Sequence, residues 1–244
     1  MGNWCVVGST TNHRTWLTSQ QRYYRSSATS IVASTCVRSP YSLSSSQHCV
    51  AFVEMNVKNR EYAQHEVERQ VENWLTSIVI DLNLCPFAQR EYRSNKIRLK
   101  TSFADAEQDI VRDLVVELSL LNKHADIETT LLILPQGLQE FAHFNDFLGF
   151  ADSLIVEMNL EGVFQVASFH PDYRFAGTHA DDAENFTNRA PFPILHILRE
   201  SSLDRAIDSH PDTEQIPLDN IALMNKLGSN HMRNLLEKCS LSDE

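Results

Sequence analysis

The sequence predicts an α/β fold: a small, mainly parallel sheet of three or more strands packed with helices, then a helical C-terminal part. Three observations carry this. Helical and strand periodicities alternate between residues 61 and 169. Each pair of strands is separated by a helical stretch of roughly 20 residues, long enough for a parallel crossover. One strand, Thr130 to Leu134, is continuously apolar, as expected where both faces are covered. An α+β arrangement is the alternative.

The elements follow in order. Val67, Val71, Trp74, Leu75, Ile78 and Leu82 form one apolar stripe at helical spacing. That helix ends before Pro86, because a residue preceding proline is pushed out of the α region. Ile97, Leu99 and Thr101 alternate with Arg98 and Lys100, which reads as a half-buried edge strand. Asp105 to His124 is a second helix, with Ile110, Leu114, Leu118 and Leu121 on its inner face. The strand Thr130 to Leu134 is stopped by Pro135.

Phe141 to Leu160 is a third helix, and Gly162 is a natural stop for it. Val163 to Phe169 is the third strand, and a further strand is a candidate near residues 185–190. Pro191 and Pro193 are read as opening a helix from Ile194 to Asp208. In that helix His196 sits on the apolar face, and Arg199 and Glu200 form a surface pair. Pro217 starts another helix, ended by Gly228, and a last helix runs from Ser229 to Cys239.

Composition excludes some functions. The chain has 244 residues and a formal net charge of −11. An acidic chain without clustered Lys and Arg is a poor phosphate-backbone binder, so no nucleic-acid partner is expected. No apolar run approaches the ~18 residues of a spanning helix, so no membrane span is expected. The five cysteines show no CxxC pair and no regular spacing. They read as free thiols in a reducing compartment.

Residues 1–54 differ from the rest. They contain no acid before Glu54, carry Arg14, Arg22, Arg25 and Arg38, and are rich in Ser and Thr. Such sequence cannot bury enough surface to offset its ordering entropy, and it has the composition of an organelle transit peptide. The other reading is a misassigned extension ahead of a start at Met55. The opening Met1-Gly2 carries Val6 where an acylation signal needs Ser or Thr. Residues 55–244 are expected to form a single globular domain. Its location is cytoplasmic if the chain starts at Met55, and mitochondrial or plastid if residues 1–54 are a transit peptide.

Residues 169–200 concentrate the polar chemistry. His170, Asp172, Tyr173, Arg174, Thr178, His179, Asp181, Asp182, Glu184, Asn185, Asn188 and Arg189 follow directly on a predicted strand. Sites in open α/β sheets lie beyond the carboxyl ends of strands. The interleaved aromatics Phe169, Tyr173, Phe175, Phe186 and Phe192 would anchor this loop. The segments Asn83-Leu-Cys-Pro-Phe-Ala88, Phe169-His-Pro-Asp-Tyr173, Phe175-Ala-Gly-Thr178 and Asn185-Phe-Thr-Asn-Arg-Ala-Pro191 resemble the bacterial family filed as domain of unknown function 1415. The resemblance covers roughly residues 60–236 and implies no particular chemistry.

Two classes of function stand against each other. In the first, Cys85 is a nucleophilic or redox thiol, His170 its base, and Arg189 the holder of a small anionic substrate. Asp172, Tyr173, Thr178, Asp182, Asn185 and Asn188 would line the ligand. A metal-dependent variant uses His170, His179 and Asp181 or Asp182, a set suited to zinc or iron(II). The Cys85-Pro86 dipeptide is also the core of haem-regulatory motifs, in which the thiolate ligates iron. The cofactor is otherwise open.

In the second class the loop is a non-catalytic ligand-binding or regulatory module. Cys85 is then a small buried residue. His170 ties the loop to a backbone carbonyl, Arg189 makes an internal ion pair with Asp182 or Glu200, and Asn185 and Asn188 satisfy turns. The Asn185-Phe-Thr187 sequon would matter only in a secreted chain.

Overall fold

The computed structural model describes residues 61, 63–209 and 212–241. The expectations for residues 1–54 lie outside the described residues. Helix α1 covers 63–74 and continues as a wider π-helical turn, Leu75–Ile80. A short helix α2, Ala88–Arg93, follows the Cys85-Pro86 corner. Then come β1 (Ile97–Thr101), α3 (Glu107–Lys123), β2 (Thr129–Ile133), α4 (Phe141–Glu157) and β3 (Phe164–Phe169). A 3-10 turn, Ala183–Thr187, precedes β4 (Ile194–Arg199). Helices α5 (Glu200–Ser209), α6 (Gln215–Leu227) and α7 (Ser229–Cys239) complete the described chain.

The fold is mixed α/β, with one four-stranded sheet in the order β1-β2-β4-β3. β1 lies at an edge and pairs parallel with β2. β4 pairs antiparallel with both β2 and β3. So β1, β2 and β3 share one direction, as two helical crossovers require, and β4 alone runs against them. The mainly parallel expectation therefore holds for strand direction but not for pairing. Inserting β4 between β2 and β3 turns what would be one parallel pair into two antiparallel ones. The α+β alternative is compatible with this sheet.

The expected helix from Ile194 to Asp208 is corrected: its first six residues are β4, and helix begins only at Glu200. No strand forms over 185–190, where the 3-10 turn lies. The reason is burial on both faces. Ile194 packs into the cluster on the α1 side, whereas Leu195 and Ile197 pack with α3 and α4. A five-residue apolar run reads the same in a buried strand and a buried helix, and only tertiary pairing separates them.

The sheet is sandwiched between two helical layers. On one face Leu132, Leu134, Phe164, Val166, Leu195 and Ile197 meet the stripes of α3 and α4. Gly137 lets the β2–α4 connection lie against α3. A Cβ there would stand 2.5 Å from Ile110 Cδ1 and 2.7 Å from the Ala104 carbonyl. On the other face Leu131, Ile133 and Ile194 meet Val71, Trp74 and Ile78 of α1, with Met224 of α6 and Met232 of α7. Gly228, at φ 80°, takes the left-handed turn that separates α6 from α7. Each face thus buries a continuous apolar patch.

Arg199 is not a helix-surface partner of Glu200. It ends β4 and donates to the carbonyls of Leu121, His124 (2.7 Å) and Ile127 (3.1 Å). It thereby caps the last turn of α3. Among the described residues, no helix is long and apolar enough to cross a membrane.

Candidate functional site

The topology puts residues 170–193 at the carboxyl ends of β1, β2 and β3. Phe169 and Ile194 are cross-strand partners, so this long connection leaves and re-enters the sheet at one point. Such a loop must satisfy its backbone polar groups without a ladder. It does so with short backbone turns, such as Tyr173 N–H to the His170 carbonyl and Asp182 N–H to the His179 carbonyl, and with its own side chains.

Asn185 is the centre of that arrangement. It is fully buried. Its Oδ1 accepts from the Phe175 N–H (3.0 Å) and from the Thr178 hydroxyl (2.8 Å). Its Nδ2 donates to the His179 carbonyl (2.7 Å). Asp182 accepts from the His179 N–H at 2.7 Å. Asn188 donates to the Ser168 carbonyl (3.1 Å). Tyr173 is buried against Phe141 and Phe175, with its hydroxyl on Ser168, and burial pushes its pKa up to about 12. The sequon asparagine therefore has every side-chain polar atom engaged.

His170 is also fully buried, between Phe141 and Phe144 of α4. Nε2 faces the Leu138 carbonyl at 3.2 Å, and Nδ1 accepts the Asp172 N–H at 3.0 Å. Both ring nitrogens are in use, and burial pushes the pKa down. Leu138 adopts φ 53°, uncommon for a side-chain-bearing residue, and so aims its carbonyl at the ring. His170 has no lone pair left for a substrate proton or a metal.

Cys85 lies on the other side of the sheet, against the cluster of α1, α6 and α7. The Ala88 N–H donates to the Cys85 carbonyl at 3.2 Å. Burial pushes the thiol pKa up, against a smaller lowering by the backbone of Phe87 and Ala88. No contact joins it to His170. His179 and Asp181 are exposed, and Asp182 is half-buried. Among the described residues, no group of three His, Cys, Asp or Glu is placed to hold a metal ion. His196 faces the α1 side beside Phe169 (5.9 Å), and burial pushes its pKa down to about 4.

Arg189 is half-buried in the loop, whereas the loop's other arginine, Arg174, is exposed. Nε donates to the Tyr173 carbonyl (3.2 Å) and Nη2 to the Ala180 carbonyl (2.6 Å). The guanidinium lies over the Phe186 ring at 4.5 Å. Burial pulls its pKa down, Asp172 and Asp181 push it up, and Arg233 adds to the fall. Among the described residues, its contacts are these two carbonyls and the ring, with no carboxylate in ion-pair distance. The expected internal pairs with Asp182 and Glu200 are not formed.

Three participants escaped the sequence reading. Trp74, read as plain core, donates its indole N–H to the Arg189 carbonyl at 2.9 Å. Leu138 supplies the carbonyl for His170. Arg233 reaches the loop from α7 and meets Asp181 at 3.3 Å. Sequence spacing carries no trace of the last contact, which spans two distant segments. A hollow of about 260 Å³ lies between α3 and α4, lined by Glu107, Gln108, Val111 and Phe150. None of these belongs to the loop.

The fold and site thus define a mixed α/β domain that carries a self-clasped polar loop at its strand ends. The family described as protein of unknown function (DUF1415) matches residues 66–234, and the chain belongs to it. No curated protein matches the chain, and no solved structure does.

Proposed function

We propose that this domain binds a small anionic ligand at the Arg189 loop, as a binding or regulatory module without thiol catalysis. The observation that carries this is the state of Arg189. Its guanidinium is half-buried, held by two carbonyls and an aromatic face, and has no carboxylate partner. A partly desolvated cation gains more from an anion than an exposed one does. The fork geometry is preset by the loop, so little ordering cost remains for binding. Catalysis through Cys85 and His170 has less support, because the thiol is held protonated and the imidazole lone pair is engaged.

The test is anion binding by the full-length chain, with acetate and inorganic phosphate as probes at constant ionic strength. At roughly a hundred times Kd, a bound anion stabilises the native state by about 2.7 kcal/mol, a clear rise in melting temperature. Arg189→Lys keeps the charge but loses the planar fork. The expected result is protection of the wild type and about tenfold weaker binding by the variant. Equal binding by both proteins, or no protection by either anion, would overturn the reading.

A further inference from the structure

We propose that the hollow between α3 and α4 is a binding site for a small primary alkylammonium ion, held by the Glu107 carboxylate and the Phe150 ring. This site is separate from the anion site at Arg189 and does not depend on it. Glu107 stands in the first turn of α3, after the carboxyl end of β1, and His143 in the first turn of α4, after that of β2. Gly137 lets the β2–α4 connection lie against Ile110 of α3, so the two helices start close together. Ligand sites in α/β sheets lie at this end of the strands. Glu107, Gln108, Val111 and Phe150 line the hollow, whose volume is about 260 Å³.

The lining selects the ligand. His143 Nε2 meets Glu107 Oε1, so α4 holds the carboxylate in place, and Oε2 has no partner among the described residues. Phe150 is 50% exposed, with its ring 5.9 Å from that of Phe147. A carboxylate accepts from an ammonium, an aromatic ring attracts a cation within ~6 Å, and Val111 suits a short alkyl stem. An anion fits less well. The N-terminus of α3 offers roughly half a positive charge. Glu107 alone exceeds it, with exposed Asp105 nearby and Asp109 taken up by Arg112 at 2.8 Å. A volume of about 260 Å³ falls just below the ~300–1,000 Å³ of drug-sized pockets, which sets the scale at an amine of about five heavy atoms.

The experiment is an NMR titration of n-butylammonium chloride into the full-length chain at constant ionic strength, read at the backbone amides of Glu107 to Val111 and of Phe150. The expected result is saturable shifts in roughly the millimolar range, because an ion pair and a cation–aromatic contact this open each contribute only a few-fold. Glu107→Gln is expected to weaken binding about three- to fivefold, and Phe150→Leu about two- to fivefold. Both side chains are half-exposed, so the variants fold. Asp126→Asn makes the same charge change at an exposed site before β2 and is expected to change nothing. A loss there equal to that of Glu107→Gln would show that net charge, not the hollow, attracts the cation, and would overturn the site. Shifts that never saturate, equal shifts with sodium butyrate, or tighter binding of tetramethylammonium, which has no N–H to donate, would each overturn it too. An affinity that either Glu107→Gln or Phe150→Leu leaves unmoved would do the same. Loss of acetate binding in Arg189→Lys bears on the anion site alone.

Discussion

The backbone N–H of Asp172 donates to Nδ1 of His170 at 3.0 Å, which sets the proton of that buried ring on Nε2. Nε2 in turn points at the Leu138 carbonyl. One imidazole thus ties the start of the loop to the β2–α4 connection. Charging the ring would place a second hydrogen against the Asp172 N–H and would desolvate a cation. The geometry and the lowered pKa have the same cause.

This has a pH consequence. His170 and His196 both titrate lower in the native chain than the ordinary 6.5, and His196 is pushed down to about 4. Between pH 6.5 and about 4 the unfolded chain binds protons that the native chain refuses. Stability therefore rises with pH across that window and is lost as the pH falls through it, by at most about 1.4 kcal/mol per unit for each group. Glu66, held at about 2 mainly by its hydrogen bond from Arg69, adds to the loss once the pH falls through the ordinary carboxylate value of 4.5. Urea midpoints at pH 7 and pH 5 measure the effect. His196→Leu should flatten the slope in part, and an unchanged slope in that variant would remove His196 from the account.

Cys85 should be chemically quiet. Its pKa is raised by burial, which outweighs the smaller lowering by the backbone of Phe87 and Ala88. Thiols alkylate as thiolates, so native Cys85 should react slowly with iodoacetamide at neutral pH and quickly in urea. Peptide mass separates it from Cys239, whose thiol donates to the Leu235 carbonyl. Rapid native alkylation with an apparent pKa below ~8.5 would return Cys85 to the list of nucleophiles.

Helices α3 and α4 showed in their apolar stripes, because each packs one face on the sheet. β1 showed as an edge because Arg98 and Lys100 alternate with Ile97 and Leu99. The loop showed by its polar density after β3. β4 did not, because Ile194-Leu-His-Ile-Leu198 is apolar on both faces and two prolines precede it. The roles inside the loop stayed open for a different reason. Whether Asn185, His170 and Arg189 serve a ligand or the backbone depends on carbonyls of Leu138, Tyr173, Ala180 and His179, and a carbonyl leaves no mark on residue type.

A buried charge, Glu117, stands among Ile110, Leu114, Leu118 and Leu121 on the inner face of α3. Glu117 of α3 is 1% exposed and receives Arg98 of β1 through two contacts, Nε to Oε2 at 2.8 Å and Nη2 to Oε1 at 3.2 Å. This fork pins an edge strand to the helix that crosses over it. Glu117→Ala leaves the guanidinium without its partner and opens a void. A fully buried pair loses about 3–5 kcal/mol on such a change. The Arg98 side chain keeps about a third of its exposure and can turn to water, so the expected loss is smaller, about 2–3 kcal/mol. Desolvating two charges is itself costly, so a paired replacement, Arg98→Leu with Glu117→Leu, should recover most of that loss. Urea unfolding of the single and double variants checks both statements. If Glu117→Ala unfolds at the wild-type midpoint, the fork adds nothing to the edge of the sheet. If the double variant is no more stable than the single one, what matters at this position is the charge pair itself and not its desolvation.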